Sequence, residues 1–136
     1  MSAGPTDAAD VVRGNARASL VAVFIGGMAG GALRLLLVLL NGGVPWGILI
    51  ANVGGALLLG FLFERLVEHR LERAAVWAFV GPGLCGALTT FSALQLELVE
   101  LARGGEAMTA VAYLLASLGL GVPAAASGRR LGRLHR

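Results

Sequence analysis

Charge is absent from this sequence for long intervals, and those intervals decide what the chain can fold into. No charged residue occurs from Ala18 to Leu33; after Arg34, a second uncharged stretch runs from Leu35 to Phe63. Two more lie at Ala74–Leu96 and Ala107–Gly128. An α-helix rises 1.5 Å per residue, so ~20 apolar residues cross a hydrocarbon layer ~30 Å thick. The stretch from 35 to 63 is too long for one crossing and contains Asn41-Gly42-Gly43-Val44-Pro45, which is turn chemistry. The pattern predicts an all-α membrane protein with four transmembrane helices, near 18–40, 46–66, 74–102 and 107–128. A charged connector from Glu64 to Arg73 joins the second and third, and Gly104-Gly105 turns the third into the fourth. With 57% hydrophobic and 14% charged residues, an ordinary soluble domain of this size is excluded. The 21 glycines suit membrane helices whose backbones approach closely.

Three regions follow: a disordered cytoplasmic tail over 1–17, a transmembrane unit over 18–128 and a basic cytoplasmic tail over 129–136. The tail at 1–17 has no basic start followed by an apolar run, so it is not read as a signal peptide. Eleven arginines and no lysine give a net charge of +3, but they flank apolar blocks instead of forming one face. That arrangement favours a lipid bilayer over nucleic acid as the partner. Four crossings put both termini on one side. That side holds Arg13, Arg17, Arg65, Arg70, Arg73, Arg129, Arg130, Arg133 and Arg136, while the other holds only Arg103. The bias predicts cytoplasmic termini in a multi-pass plasma-membrane protein. Trp46 and Trp77 fall near helix starts, at the depth of an aromatic belt. His69 and His135 read as solvated, and the single cysteine, Cys85, as a small buried filler.

Polar side chains inside the apolar blocks are few: Arg34, Asn52, Thr89, Thr90, Ser92, Gln95, Thr109, Tyr113 and Ser117. At membrane depth such groups need partners or a function. No Asp or Glu lies between Asp10 and Glu64, so the first two helices lack the carboxylate a proton-coupled cation exporter uses. Hydroxyls and an amide are donors, which suit an anion better than a cation. The third helix carries Gly81-Pro82-Gly83-Leu84-Cys85-Gly86-Ala87-Leu88-Thr89-Thr90-Phe91-Ser92. Proline removes a backbone donor there. The segment reads either as a break near mid-membrane, whose freed carbonyls need an ion or protein partners, or as a kink that serves packing.

Three blocks carry a resemblance. Gly26-Gly27-Met28-Ala29-Gly30-Gly31-Ala32-Leu33-Arg34 resembles the GGxxGAxxR block of the CrcB, or Fluc, family of fluoride channels. Gly47 to Gly60, with Asn52 and Gly55 at the matching places, resembles its GTxxxNxxGxFxxG block, and Gly83 to Ser92 its GxxGGxTTFSTF block. Each block alone is a weak signal; three in order, with matching loops and length over about 20–128, are specific.

The resemblance implies four helices with a break in the third, an antiparallel (inverted) dimer, and two pores along its interface. It implies a structural Na⁺ at the dimer centre, held by backbone carbonyls that fall here on Gly86 and Thr89. For the anion pathway it implies Asn52, Phe91, Ser92, Tyr113 and Ser117, with Arg34 in a supporting role. The implied function is passive, fluoride-selective efflux that lowers cytoplasmic fluoride, with no enzymatic chemistry.

The sequence departs from the family pattern at three places. Leu94 stands where a second Phe is found, Ile48 where a Thr is found, and Gly121 where the hydroxyl stripe after Tyr113 and Ser117 continues. Packing readings stand beside the functional ones: Asn52 as a helix–helix contact, Phe91, Tyr113 and Ser117 as packing groups, Arg34 as a helix-end anchor. The other functional readings are a small multidrug-type exporter and a non-conducting accessory subunit. The nine-to-one arginine bias, with the three departures, favours pairing with a sister subunit of opposite orientation over a homodimer.

Overall fold

The computed structural model describes residues 5–40, 46–66 and 74–134, with side chains from Ala16 to Leu134. The expected turn at Asn41–Pro45, connector residues 67–73 with His69, and His135 lie outside them. The chain is all-helical: α1 (Pro5–Leu40), α2 (Trp46–Leu66), α3 (Ala74–Ala78), a π-helical segment (Phe79–Cys85), α4 (Gly86–Leu88), α5 (Phe91–Arg103) and α6 (Ala107–Leu134). Four stretches are long and apolar enough to cross a membrane: Ala16–Leu40, Trp46–Leu66, Ala74–Arg103 and Ala107–Leu134. The protein is thus a multi-pass membrane protein with four candidate spans.

Two helix boundaries differ from expectation. Helix α1 extends back to Pro5, and α6 runs through the arginines to Leu134. Proline is favoured at the first helical position, and adding residues to an existing helix costs little when they are Ala, Arg and Leu. Nor does a solvated connector begin at Glu64. That residue is buried in the last turn of α2, and its Oε1 accepts from Arg129 Nε at 2.8 Å and Arg133 Nη2 at 3.1 Å. A carboxylate at the end of a membrane span needs paired charge, and α6 carries it one turn apart.

Close backbone approach organises the packing. A Cβ at Gly26 or Gly30 would overlap the carbonyl oxygens of Phe79 and Leu84, so α1 lies directly on the π-helical segment. Gly60 and Gly128 stand in the same relation to Ala125 and Leu57, bringing α2 and α6 together along their length. The buried core is small, built on Ile48, Leu49, Leu94 and Tyr113. Leu20, Phe24, Met28, Leu39, Leu118 and Val122 point outward, as residues facing lipid or another subunit do.

The third span changes form as its sequence dictates. Pro82 lacks the N–H that would bond four residues back, and the helix widens around it: Gly86 N–H reaches the Gly81 carbonyl five residues earlier. The chain then leaves the helix at Thr89 (φ −81°, ψ 147°) and Thr90 (φ −153°, ψ 127°) before α5 begins. The span therefore breaks at the threonine pair, near its middle, and not at the proline. Its far end closes on Gly105, whose φ of +83° favours glycine.

The packing gives a test. Gly128→Val drives a side chain into the α2 backbone and is expected to cost about 1–3 kcal/mol, seen as a lower unfolding midpoint in detergent. Gly119→Ala, which meets open space, is expected to leave the midpoint within about 0.5 kcal/mol of the parent.

Candidate functional site

The break is held from outside by one side chain. Thr90 N–H donates to Asn52 Oδ1 at 2.7 Å, and Asn52 Nδ2 donates to the Thr90 carbonyl at 3.1 Å. A primary amide carries an acceptor and a donor, so Asn52 takes the Thr90 N–H that a continuous helix would bond and adds a second bond to the Thr90 carbonyl, which already starts α5. In a continuous helix the Thr90 N–H would bond the Gly86 carbonyl, four residues back. Diverting that donor to Asn52 takes it away from Gly86.

The threonine hydroxyls complete the local structure. Thr89 Oγ1 donates to the Cys85 carbonyl at 2.9 Å, beside Thr89 N–H at 3.0 Å, and ends the first arm of the span. Thr90 Oγ1 accepts from Ala93 N–H at 3.2 Å and so caps α5. The Thr90 and Ser92 hydroxyls lie 3.1 Å apart and share a hydrogen bond. The Thr89 methyl rests on Gly55, where a Cβ would collide with it.

Two hollows flank the break and share Leu59 and Thr89. The first, an open cleft of ≈ 390 Å³, brings together Asn52, Thr90, Phe91 and Ser117 with apolar walls that include Leu94 and Leu118. Ser117 Oγ is buried and has no hydrogen-bond partner. Such a group normally finds a partner. Phe91 stands at the rim and is 69% exposed. The second hollow, of ≈ 400 Å³, is lined by Trp77, Gly81, Pro82, Cys85, Gly86 and Thr89.

The structure thus brings Asn52, Phe91 and Ser117 to one cleft and Gly86 and Thr89 to the hollow beside it. Ser92 is not on the cleft wall; it supports Thr90. Tyr113 is buried against Ile48, Leu49 and Leu94 and engages the Leu49 backbone. Arg34, half-buried on α1, is away from both hollows.

Sequence reasoning missed that Asn52 binds the backbone of the break itself. The available signal was Thr90 directly before Phe91, a helix-capping residue where α5 starts. It also missed Gly55 as the seat of the Thr89 methyl, a contact with no local sequence mark.

Comparison with known proteins fits these blocks. Residues 21–129 match the family described as "CrcB-like protein, Camphor Resistance (CrcB)". The chain is 36% identical over 119 residues to the fluoride-specific ion channel FluC of Rhizobium meliloti (strain 1021), covering 84% of this chain and 95% of that protein. It is 33% identical over 121 residues to the fluoride-specific ion channel FluC of Chlorobium phaeobacteroides (strain BS1), covering 86% and 94%.

If Asn52 holds the break, Asn52→Leu strands the N–H of Thr90 at membrane depth, while the Thr90 carbonyl keeps the first hydrogen bond of α5. A cost of about 1–3 kcal/mol is expected. Hydrogen exchange of the full chain in micelles should speed up across 86–94 while the α2–α6 contact near Gly128 stays protected. Unchanged exchange across 86–94 would show that the break holds without Asn52.

Proposed function

The chain belongs to the CrcB family of fluoride-specific ion channels, and on that premise we propose that it is a channel subunit giving passive fluoride efflux from the cytoplasm. The observation that carries the reading is the cleft at the break, lined by Asn52, Phe91 and Ser117, with the Ser117 hydroxyl buried behind its wall and without a hydrogen-bond partner. Fluoride is small and holds water tightly, so a pore must offer donors in place of that water. Asn52 has a second amide hydrogen beyond the one given to Thr90, and Ser117 has its hydroxyl hydrogen. Phe91 offers its ring edge, the positive part of the aromatic quadrupole. Ser92 acts through Thr90, and Tyr113 through the core beneath the cleft wall. Arg34 supports the pathway at a distance by its charge.

Gly86 and Thr89 would hold the structural Na⁺ through backbone carbonyls. What supports this is the Thr90 donor diverted from Gly86, the exposure of Gly86, and the hollow both residues line. Carbonyl oxygens suit a hard cation, and a fixed positive charge beside the cleft favours an anion there. The ion is structural and not carried.

The subunits pair antiparallel, with the cleft completed by the partner. Phe91 and Leu118 at its rim and Gly86 in the neighbouring hollow are all exposed in the single chain. The termini are cytoplasmic, because the ends of α2 and α6, joined through Glu64, Arg129 and Arg133, gather arginines at one end of the bundle, opposite Arg103. Residues 18–128 form the transmembrane unit, with the short segments 1–17 and 129–136 on the cytoplasmic side. A nine-to-one arginine bias inserts almost every copy one way, so the inverted partner is a sister subunit in preference to a second copy.

The tagged chain, isolated from its own cells with whatever subunit accompanies it and reconstituted in liposomes, tests the proposal. Fluoride efflux well above chloride efflux is expected, with Phe91→Ile and Ser117→Ala each lowering it about ten- to a hundredfold, the loss of ~1–3 kcal/mol at a site. Absence of fluoride efflux, or equal chloride efflux, would overturn the reading, and unchanged flux in both variants would return those residues to packing.

A further inference from the structure

The end of α6 carries a second polar site, separate from the cleft. Helix α6 has 28 residues and is about 42 Å long, more than a ~30 Å hydrocarbon layer holds. Its uncharged part, Ala107–Gly128, fills that layer, so Arg129, Arg130 and Arg133 emerge at the depth of the lipid phosphates. Arg129 and Arg133 each give one N–H to the same buried Glu64 oxygen. Each guanidinium has four further N–H donors, and their side chains are 51% and 60% exposed. Arg129 is further fixed over the Phe63 ring at 5.7 Å, and Phe63 stands edge-on to Trp77 with 6.2 Å between centroids. Arg130 is exposed and lies within the same 100° arc of the helix. Among the described residues of this cluster, three arginines against Glu64 leave a surplus of two positive charges, with Arg129 and Arg133 held by Glu64 and Arg129 also by the Phe63 ring.

We propose that this cluster is a binding site for the phosphate headgroup of an anionic phospholipid, in the leaflet that the C-terminal end of α6 faces. Glu64 lowers the ordering cost by holding two guanidinium groups side by side before the lipid arrives, and planar guanidinium matches phosphate in a bidentate manner. The surplus charge selects an anionic lipid over a zwitterionic one. The inference depends on the membrane spans and not on the anion that the cleft carries.

The test uses the full-length protein in a neutral detergent, with its unfolding midpoint followed as short-chain phosphatidylglycerol, phosphatidylcholine or inorganic phosphate is added. Phosphatidylglycerol is expected to raise the midpoint saturably, and the other two are not. Arg130→Gln and Arg133→Gln should each weaken the apparent affinity about fivefold. Arg130→Gln leaves both Glu64 bonds intact, so it decides the matter even if Arg133→Gln folds poorly. An equal rise with phosphatidylcholine would overturn the proposal, as would an equal rise with inorganic phosphate, which would mark a free-anion site. Full affinity in Arg130→Gln would overturn it too.

Discussion

Asn52 lends its carboxamide to the backbone of Thr90, 38 residues away, and that exchange makes an interrupted membrane helix tolerable. A break at mid-membrane exposes peptide groups to a medium that cannot bond them. One side chain with a donor and an acceptor engages the N–H and the C=O of Thr90, in the two peptide units on either side of that residue. The Thr89 and Thr90 hydroxyls finish the two helix ends on either side. The glycines then follow as a requirement: Asn52 reaches Thr90 only if α2 and the third span come close, and Gly55 beneath the Thr89 methyl permits that.

Stability and the proposed function meet in the same few atoms. The amide that holds the break also lines the cleft, and the donor it draws from Gly86 leaves a carbonyl outside the helical ladder beside the second hollow. The cleft and the hollow beside it thus share one structural cause. The π-helical segment at Pro82 does a different job, letting α1 settle on the third span through Gly26 and Gly30.

The four spans were legible because the uncharged intervals are long and the turn residues sit between them. The break was legible only as an ambiguity, since Pro82 drew attention while the chain opened at Thr89 and Thr90. Proline can be absorbed by a wider helical turn, whereas the threonine pair opens because Asn52, remote in sequence, receives it. Of the site residues, Asn52, Phe91 and Ser117 meet at one cleft, but Tyr113 does not face it. Ile48 and Leu94, noted only as departures from a family pattern, pack with Tyr113 into the core. Period alone put Tyr113 and Ser117 on one helix face; which neighbour covers each depends on α2 and α5. Glu64 escaped notice because it reads as the first residue of a charged run, and its partners lie 65 and 69 positions further on.

Carbonyl labelling of Gly86 and Thr89 in the full-length protein, followed by solid-state NMR in bilayers, bears most directly on the break. Exchanging Na⁺ for a bulky organic cation should move both carbonyl resonances, while the Thr90 amide keeps the signature of a bond to the Asn52 side chain. A Gly86 carbonyl at a helical, hydrogen-bonded shift, insensitive to the cation and paired with the Thr90 amide, would contradict the account.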